Sequence, residues 1–300
     1  MYNLATIGFI GLGVMGEPMC WNIARKHNGK VIGFDIDSNA SLKLAENGVK
    51  IASSLEELAT QSDVIILSLP GGKEVAGLCQ EGGELANKVR AGQVVLDSST
   101  TPPKLSREIH KIFAMKGVSF ADTPVARTRQ AAIDGELSIM VGAEESLMLK
   151  IKPILEYVAS DIIHCGDVGA GEVCKILNNM VLFQNIAAFS EALSIGKNSG
   201  VNLDALVDSI SKSSGDSFAL RNHGVKSVVP ENFPEGAFSV NYAMKDLSYA
   251  LDLASEQGYK AEGGKRIQNL FEKAISLGWG ELYHPVIKRI IEKEKTAQSN

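Results

Sequence analysis

Three glycines near the N-terminus constrain the fold of this chain more than any other feature. They follow an apolar run from Leu4 to Ile10, which is typical of a buried strand, and behind them apolar residues recur at helical spacing. In such a strand–turn–helix unit the first glycine permits the sharp turn, the second lets a phosphate approach the backbone, and the third lets the helix pack closely on the sheet. The helix N-terminus also offers unpaired N–H groups to a pyrophosphate. The turn therefore predicts a dinucleotide site formed by Gly11, Leu12, Gly13, Val14, Met15 and Gly16.

An acidic residue after the second strand signal supports this interpretation. Asp35 closes the next apolar run, nineteen residues past Gly16, where a carboxylate can accept hydrogen bonds from an adenosine ribose. It would repel a 2′-phosphate, and no arginine lies between Asp35 and Asn39 to neutralise one. The sequence therefore favours NAD over NADP. The alternative is a structural glycine turn followed by a solvated aspartate.

Length and composition limit the remaining possibilities. Three hundred residues suggest two domains, and a net charge of -5 argues against nucleic acid as the main partner. The four cysteines form no Cys-x-x-Cys pair, which fits buried or inert thiols in a reducing cytoplasm, and the five scattered histidines indicate no metal site. No apolar run is long enough to predict a membrane span.

Strand and helix signals alternate through the first half of the chain, which predicts an α/β fold. The runs 63–70 and 93–97 are apolar without alternation, as in a parallel sheet covered on both faces. Thr101 is expected to cap a helix that begins at Pro102, which leaves Thr100 as a candidate cofactor contact. The alternation ends near Asp167, so we expect an N-terminal domain over 1–167 and an all-helical domain over 168–300.

The second half is expected to be built on one long helix, from Gly171 to about Lys197. Its middle is apolar on nearly every face, which predicts burial on all sides, in part by a second subunit. A homodimer or homotetramer is therefore expected. The later helices are expected to break at glycines, including Gly263 and Gly264, and the stretch 122–129 is expected to be irregular.

The start of the long helix carries a second set of chemistry-bearing residues. Lys175, Asn178 and Asn179 lie three and four residues apart and therefore share one helix face. A lysine and two amides at this point are costly to bury unless they are paired or functional. The alternative is a solvated helix end, with the aliphatic part of the lysine lying on apolar surface.

Over its full length the chain resembles the β-hydroxyacid dehydrogenases, the family of 3-hydroxyisobutyrate dehydrogenase and tartronate semialdehyde reductase. The resemblance rests on five motifs in order, which are Gly11-Leu-Gly-Val-Met-Gly-Glu-Pro-Met19, Asp97-Ser-Ser-Thr100, Asp122-Thr-Pro-Val125 with Gly135-Glu-Leu137, Gly169-Ala-Gly171 with Lys175 and Asn179, and Lys245-Asp246-Leu247. It implies a Rossmann domain and a helical domain with the active site between them. It also implies that Lys175 is the catalytic acid/base, that Asn179 positions the substrate, and that the cofactor site is lined by Leu69, Pro70, Thr100 and Lys245.

The chemistry of such a reaction agrees with that set of residues. Oxidation of an alcohol removes a hydride, which a nicotinamide accepts, and a proton, which a side chain must accept. A lysine can accept that proton, and return it in the reverse direction, if burial lowers its pKa toward neutrality. Asn178 and Asn179 would orient the substrate oxygens.

The chain departs from the family pattern in one loop. Most members have Ser-Gly-Gly after Asp-x-Pro-Val, to hold the substrate carboxylate, and here Ala126, Arg127 and Thr128 stand in its place. In this the chain resembles the sulfolactaldehyde reductases and some ω-hydroxyacid dehydrogenases, which carry an arginine there. A guanidinium suits a carboxylate, sulfonate or phosphate, so we expect these three residues to bind the anionic group of a small substrate. The alternative is that Arg127 only pairs with a nearby acid such as Asp122.

These observations predict an NAD-dependent dehydrogenase or semialdehyde reductase. Two other functions fit the same fold: reduction of a different bond, as in the imine reductases, and non-catalytic nucleotide binding. Imine reductases generally lack the lysine at position 175, and non-catalytic relatives have lost it or added a reader domain. Lys175 therefore favours the dehydrogenase.

Overall fold

The protein divides into two compact units, residues 1–175 and 176–300. The computed structural model describes residues 5–294, so Leu4, the first residue of the predicted first strand, lies outside the described part. The prediction of a domain boundary at 167/168 stays a prediction.

One sheet forms the centre of the first unit. Its strands are β1 (Ile7–Ile10), β2 (Val31–Phe34), β3 (Lys50–Ile51), β4 (Val64–Leu67), β5 (Val94–Asp97), β6 (Ser119–Asp122), β7 (Val125–Ala126), β8 (Leu137–Gly142) and β9 (Ala159–Gly166). The spatial order is β3-β2-β1-β4-β5-β6-β8-β7, with β9 paired to β8. The strands from β1 to β6 pair in parallel, whereas β8 runs antiparallel to β6 and β7. The order reverses at β1, which places the glycine turn at the switch point where sheets of this kind bind ligands.

Helices lie between the strands. They are α1 (Gly16–Lys26), α2 (Ser38–Glu46), α3 (Leu55–Gln61), α4 (Gly72–Cys79), α5 (Glu84–Lys88), α6 (Pro103–Ala114), α7 (Arg129–Asp134) and α8 (Glu145–Leu155). Successive residues of one strand point into different cores: Val64 and Ile66 belong to one buried cluster, and Ile65 and Leu67 to another. The sheet is therefore covered on both faces, which explains why its strands read as continuous apolar runs.

Two local expectations for this unit were wrong. The stretch after β6 is not irregular, because it contains β7 and then α7, whose first turn is capped by the Thr128 hydroxyl. Helix α6 begins at Pro103, and Thr101 does not cap it. The Thr101 hydroxyl instead donates to buried Glu172, 3.2 Å away, a partner too distant in sequence for local pattern to indicate.

The second unit is helical. Its elements are α9 (Ala170–Asn198, which begins in the first unit), α10 (Leu203–Ser211), a π-helix (Leu220–Val228), α11 (Val240–Glu256), α12 (Glu262–Ser276), a 3-10 helix (His284–Ile287) and α13 (Lys288–Ile291). The core of this unit includes Phe183 and Ile186 of α9 together with Leu247 of α11 and Phe271 of α12. The predicted fold class, an α/β Rossmann domain followed by an all-helical domain with one long helix, is confirmed.

One pair of glycines in the helical unit differs from the sequence-based expectation. Gly263 and Gly264 do not break a helix but lie in the first turn of α12, where a Cβ would come within 2.1 Å of Gln184 and 2.9 Å of Leu251, respectively. These glycines therefore serve close helix packing. Val181 and Ile195 of α9 are exposed in the single chain, so the expected burial of this helix by a second subunit stays a prediction.

Candidate functional site

The glycine turn has the geometry that its pattern predicts. Gly11 has φ +92°, and a Cβ there would lie 2.3 Å from the carbonyl oxygen of Ser68. A Cβ on Gly16 would lie 1.9 Å from the carbonyl oxygen of Gly11. Both positions therefore require glycine. Around Gly13, by contrast, a Cβ would meet no atom within 4 Å, so the space that a phosphate would need is open.

Asp35 is fixed beside that turn. One of its carboxylate oxygens accepts a hydrogen bond from the Leu12 amide at 2.6 Å, and the other accepts from the Asp37 amide at 2.8 Å. Each carboxylate oxygen can accept more than one hydrogen bond, so Asp35 retains acceptor capacity for hydroxyl groups. The ribose contact of this carboxylate stays a prediction.

The ends of β4, β5 and β6 are joined by hydroxyl side chains. Ser99 accepts a hydrogen bond from the Leu69 amide at 2.9 Å, and the hydroxyls of Ser98 and Thr123 lie 2.9 Å apart. Ser98 and Ser99, two of the four consecutive hydroxyl residues at positions 98–101, therefore have structural partners within the sheet edge. Thr100 and Pro70, both predicted cofactor contacts, follow directly on these tied positions.

A cluster of buried acids lies behind the same edge, and sequence reasoning missed its role. Asp97, Asp122 and Glu172 are all fully buried. Asp122 accepts the amide N–H groups of Gly169 at 2.6 Å and Glu172 at 2.8 Å, and so caps the start of α9. The only sequence signal was the Asp122-Thr-Pro-Val motif, which does not show what its carboxylate binds.

Burial governs the charge of this cluster. It raises the pKa of Asp122 to about 6, against the lowering effect of the two amide hydrogen bonds. It raises the pKa of Glu172 well above the usual value, and the charges of Asp97 and Asp122 add to that rise. Burial thus favours the protonated form of Glu172, while Asp122 can carry the charge that favours a helix N-terminus.

Lys175 lies one turn into the helix that Asp122 caps. Its side chain is not solvated, because only 8% of the residue is exposed. Asn178 is exposed and Asn179 is 2% exposed. On one α-helix Lys175 and Asn179 are one turn apart, so the structure keeps the face that their spacing predicts.

In the second unit a buried acid orients the amide of Asn179. The side-chain Nδ2 of Asn179 donates to the Asp246 carboxylate at 2.7 Å, and Nδ2 of Asn178 donates to Oδ1 of Asn179 at 3.1 Å. Asp246 also lies 3.1 Å from the ammonium of Lys245, which stands over the ring of Tyr242. Asp246 belongs to the Lys245-Asp246-Leu247 motif, but its contact with Asn179 could not be inferred from spacing, since the two are 67 residues apart.

The substrate-loop residues are placed as follows. Ala126 pairs with Ser138 of β8, and Thr128 caps α7. Arg127 has φ +85°, a conformation that favours glycine, which is the residue of the family pattern here. Its guanidinium donates to the Glu136 carbonyl at 2.6 Å, to Ser160 at 2.8 Å and to the carboxylate of Asp161 at 2.5 Å. Arg127 thus pairs with an acid, which is Asp161 and not Asp122.

Residues 5–294 contain no group of three or more acidic, histidine or cysteine side chains arranged to hold a metal ion. None of the helices in that range combines the length and hydropathy needed to cross a membrane.

Both halves of the chain match family models. Residues 6–166 match the NAD binding domain of 6-phosphogluconate dehydrogenase. Residues 169–289 match the model described as the NAD-binding of NADP-dependent 3-hydroxyisobutyrate dehydrogenase.

Individual relatives cover nearly the whole chain. It is 34% identical to the 2-(hydroxymethyl)glutarate dehydrogenase of Eubacterium barkeri over 91% of this chain and 90% of that protein. It is 32% identical to the mitochondrial 3-hydroxyisobutyrate dehydrogenase of Mus musculus, over 94% of this chain and 85% of that protein. Among solved structures, the 3-hydroxyisobutyrate dehydrogenase of Mycobacterium tuberculosis with L-serine matches with a TM-score of 0.88 and 30% identity, over 96% of this chain and 99% of that chain.

Proposed function

Since this chain belongs to the β-hydroxyacid dehydrogenase family, we propose that it transfers a hydride between NAD(H) and the alcohol or aldehyde carbon of a small anionic hydroxyacid or semialdehyde. Lys175 is the general acid/base of this reaction. The observation that carries the proposal is a lysine that is 8% exposed and stands one helical turn from Asn179, whose amide is oriented by Asp246.

The cofactor is NAD, held by the glycine turn, Asp35, Leu69, Pro70, Thr100 and Lys245. The open space at Gly13 and the fixed carboxylate of Asp35 fit a pyrophosphate and an adenosine ribose, respectively. When bound, the nicotinamide supplies the hydride chemistry. Asp35 disfavours the 2′-phosphate of NADP by like-charge repulsion.

Lys175 moves the proton. In the oxidative direction its neutral amine accepts the hydroxyl proton of the substrate, and in the reductive direction its ammonium donates a proton to the forming alkoxide. The buried acids set the position of the amine, because Asp122 fixes the helix start from which Lys175 projects. Asn178 and Asn179 orient the substrate oxygens, and the bond from Asn179 to Asp246 fixes the orientation of the Asn179 side-chain amide.

The substrate carries an anionic group that lies against Ala126, Arg127 and Thr128. Arg127 gives three hydrogen bonds to Glu136, Ser160 and Asp161. A guanidinium has five N–H groups, so two remain for a carboxylate or sulfonate, as in the arginine-bearing branch of the family. The substrate named for the Eubacterium barkeri relative carries carboxylates of this kind. The enzyme works in the cytoplasm as a homodimer or homotetramer, and the exposed apolar residues of α9 support association.

A panel of short hydroxyacids and semialdehydes, assayed by NADH absorbance, tests this proposal. We expect turnover of an anionic member of the panel with NAD, and loss of that turnover when the anionic group is replaced by an amide of similar size. Turnover of cyclic imines in place of hydroxyacids would establish the imine reductase alternative. Binding of NADH without turnover of any carbonyl compound would support the non-catalytic alternative.

A further inference from the structure

Helices α1 and α7 of the first unit lie side by side and run in the same direction. At the start of both helices, a carboxylate oxygen of Glu17 lies 3.4 Å from the guanidinium of Arg129. Further along, Asn22 of α1 contacts the last turn of α7. Helix α1 begins at the glycine turn, and α7 follows directly on the loop 126–128. The contact between these helices therefore joins the predicted dinucleotide site to the predicted substrate loop.

The side-chain amide of Asn22 makes the buried part of this contact. The residue is fully buried, and its Nδ2 lies 2.8 Å from the carbonyl oxygen of Ala132, 3.0 Å from that of Ile133 and 3.1 Å from that of Pro18 in its own helix. Its Oδ1 accepts a hydrogen bond from Arg25 at 2.8 Å. An amide side chain has donors only on its nitrogen, so the three carbonyls fix the direction in which this one points.

Helix α7 needs such a partner because it is short. It has six residues, and a helix of that length is not stable alone in water. The Thr128 hydroxyl caps its first turn, whereas the carbonyls of a last turn need donors from outside the regular helix. Asn22 supplies such donors from α1, and the Gly135 amide supplies another. The end of α7 is thus fixed to α1, and the loop 126–128, which leads into α7, shares that anchor.

We propose that Asn22 is a positioning residue, which fixes the substrate loop relative to the glycine turn. This role rests on the proposed function, in which Arg127 of that loop binds the anionic group of the substrate. Without the Asn22 amide, the end of α7 is released, and the loop occupies its binding position for a smaller fraction of the time. The apparent affinity for the anionic group falls by that fraction.

The size of the effect is limited by the other contacts of the loop. Its first residue pairs with β8, and the Arg127 guanidinium still donates to Ser160 and Asp161. The glycine turn has a contact of its own, the hydrogen bond from the Gly11 amide to the Phe34 carbonyl at 2.9 Å. We therefore expect about a tenfold rise in KM for the substrate, equivalent to one or two lost hydrogen bonds, with no change in the Kd for NADH.

Gln93→Ala is the matched control for Asn22→Ala. Gln93 is buried, and its Nε2 donates to the main-chain carbonyls of Ala59 at 2.7 Å and Ser62 at 2.6 Å, at the end of α3. It thus does for α3 what Asn22 does for α7. Gln93 directly precedes β5, at the opposite end of the parallel strands from the glycine turn. The two substitutions should therefore cost similar stability, but only Asn22→Ala releases the loop.

The experiment compares Asn22→Ala, Gln93→Ala and the wild type as full chains. Steady-state rates are measured with the anionic substrate that the panel identifies, NADH binding is measured by fluorescence, and amide hydrogen exchange is mapped by mass spectrometry. In Asn22→Ala we expect faster exchange over 129–134 and a KM raised about tenfold, with kcat at saturating substrate and the Kd for NADH within about twofold of the wild type. Gln93→Ala should keep the wild-type KM and the wild-type exchange over 129–134.

Gly135→Ala tests the same anchor if Asn22→Ala does not fold. Gly135 ends α7 with φ +73°, and a Cβ there would lie 2.7 Å from Nζ of Lys26 and 3.3 Å from the carbonyl oxygen of Tyr157. Alanine therefore strains the end of the helix while the Asn22 side chain is kept. This variant should show the same rise in KM with unchanged NADH binding.

Each other outcome overturns the role of Asn22. An equal rise in KM in Asn22→Ala and Gln93→Ala would show that lost stability raises it. Faster exchange over 129–134 with an unchanged KM would show that the loop does not depend on α7, and weaker NADH binding would place the effect at the cofactor site. A wild-type enzyme that turns over no member of the panel would refute the proposed function itself, and that result is separate because it is obtained without any variant.

Discussion

Asp35 sets the cofactor preference, and Asp35→Ser should reverse it in part. The carboxylate is fixed by the amides of Leu12 and Asp37 at 2.6 and 2.8 Å, so its charge has a defined position beside the glycine turn. The substitution removes the acceptor for the ribose hydroxyls and the charge that repels a 2′-phosphate.

The magnitude follows from these two effects. Two like charges about 4 Å apart repel by about 4 kcal/mol at an effective dielectric constant of about 20. Asp35 is only half-buried, so solvent screening reduces this to roughly 1–2 kcal/mol, or about tenfold or somewhat more in kcat/KM for NADP. Loss of a hydrogen bond to a charged acceptor costs roughly 1.5–3 kcal/mol, at least about tenfold for NAD. The ratio of kcat/KM for NAD to that for NADP should therefore fall by about a hundredfold.

Asp37→Ser is the matched control. It removes the same charge two residues away, and serine still caps α2, where Asp37 accepts a hydrogen bond from the Asn39 amide. Steady-state rates with both cofactors, at low and high salt, give the ratios. An unchanged ratio in Asp35→Ser, or an equal change in Asp37→Ser, would refute a specific role for the Asp35 carboxylate.

Three further predictions concern stability and binding. Burial lowers the pKa of His223 to about 4, and that of His284 well below its usual value of 6.5. The unfolded chain therefore takes up protons first as the pH falls below 6.5, and His223 alone should lower the free energy of unfolding by about 2 kcal/mol at about pH 5. Urea titrations measure this free energy as a function of pH. A His284→Leu variant whose free energy of unfolding keeps the full wild-type pH dependence would contradict this account. The free energy of unfolding of Arg127→Gly should exceed that of Arg127→Ala by about 1 kcal/mol, because φ is +85° there. Both substitutions should raise KM for the anionic substrate. An unchanged KM would show that Arg127 only pairs with Asp161. Gly16→Ala should lower the free energy of unfolding by roughly 1–3 kcal/mol or more, because its Cβ would lie 1.9 Å from the Gly11 carbonyl oxygen. Gly13→Ala should have the melting temperature of the wild type but bind NADH weakly. Equal melting temperatures of the two variants would show that the turn is not constrained as described.

Local patterns in the sequence were sufficient for the parts of the fold that depend on neighbouring residues. The run 63–70 and the glycine turn each carry a complete local signal, which is why β4 (Val64–Leu67) lies within the predicted run and α1 starts at the third glycine. The long helix was likewise predicted within a residue or so of its observed bounds, Ala170–Asn198.

Contacts between distant residues could not be obtained in that way. The capping of α9 by Asp122, the bond between Asn179 and Asp246, and the ion pair of Arg127 with Asp161 join positions 34 or more residues apart. Thr101 illustrates the consequence: a Thr-Pro pair indicates a helix cap, but a buried carboxyl on α9 binds the hydroxyl instead. A tertiary partner thus outweighed the local preference.

The kcat of Lys175→Met tests the central claim most directly. Methionine is unbranched and only one heavy atom shorter than lysine, but it cannot carry a proton, so the fold and the cofactor site should be preserved. We predict a fall in kcat of about 10²–10⁴-fold at about pH 7 with an unchanged Kd for NADH. A kcat within a few-fold of wild type, in a variant that melts normally, would contradict the assignment of Lys175 as the acid/base.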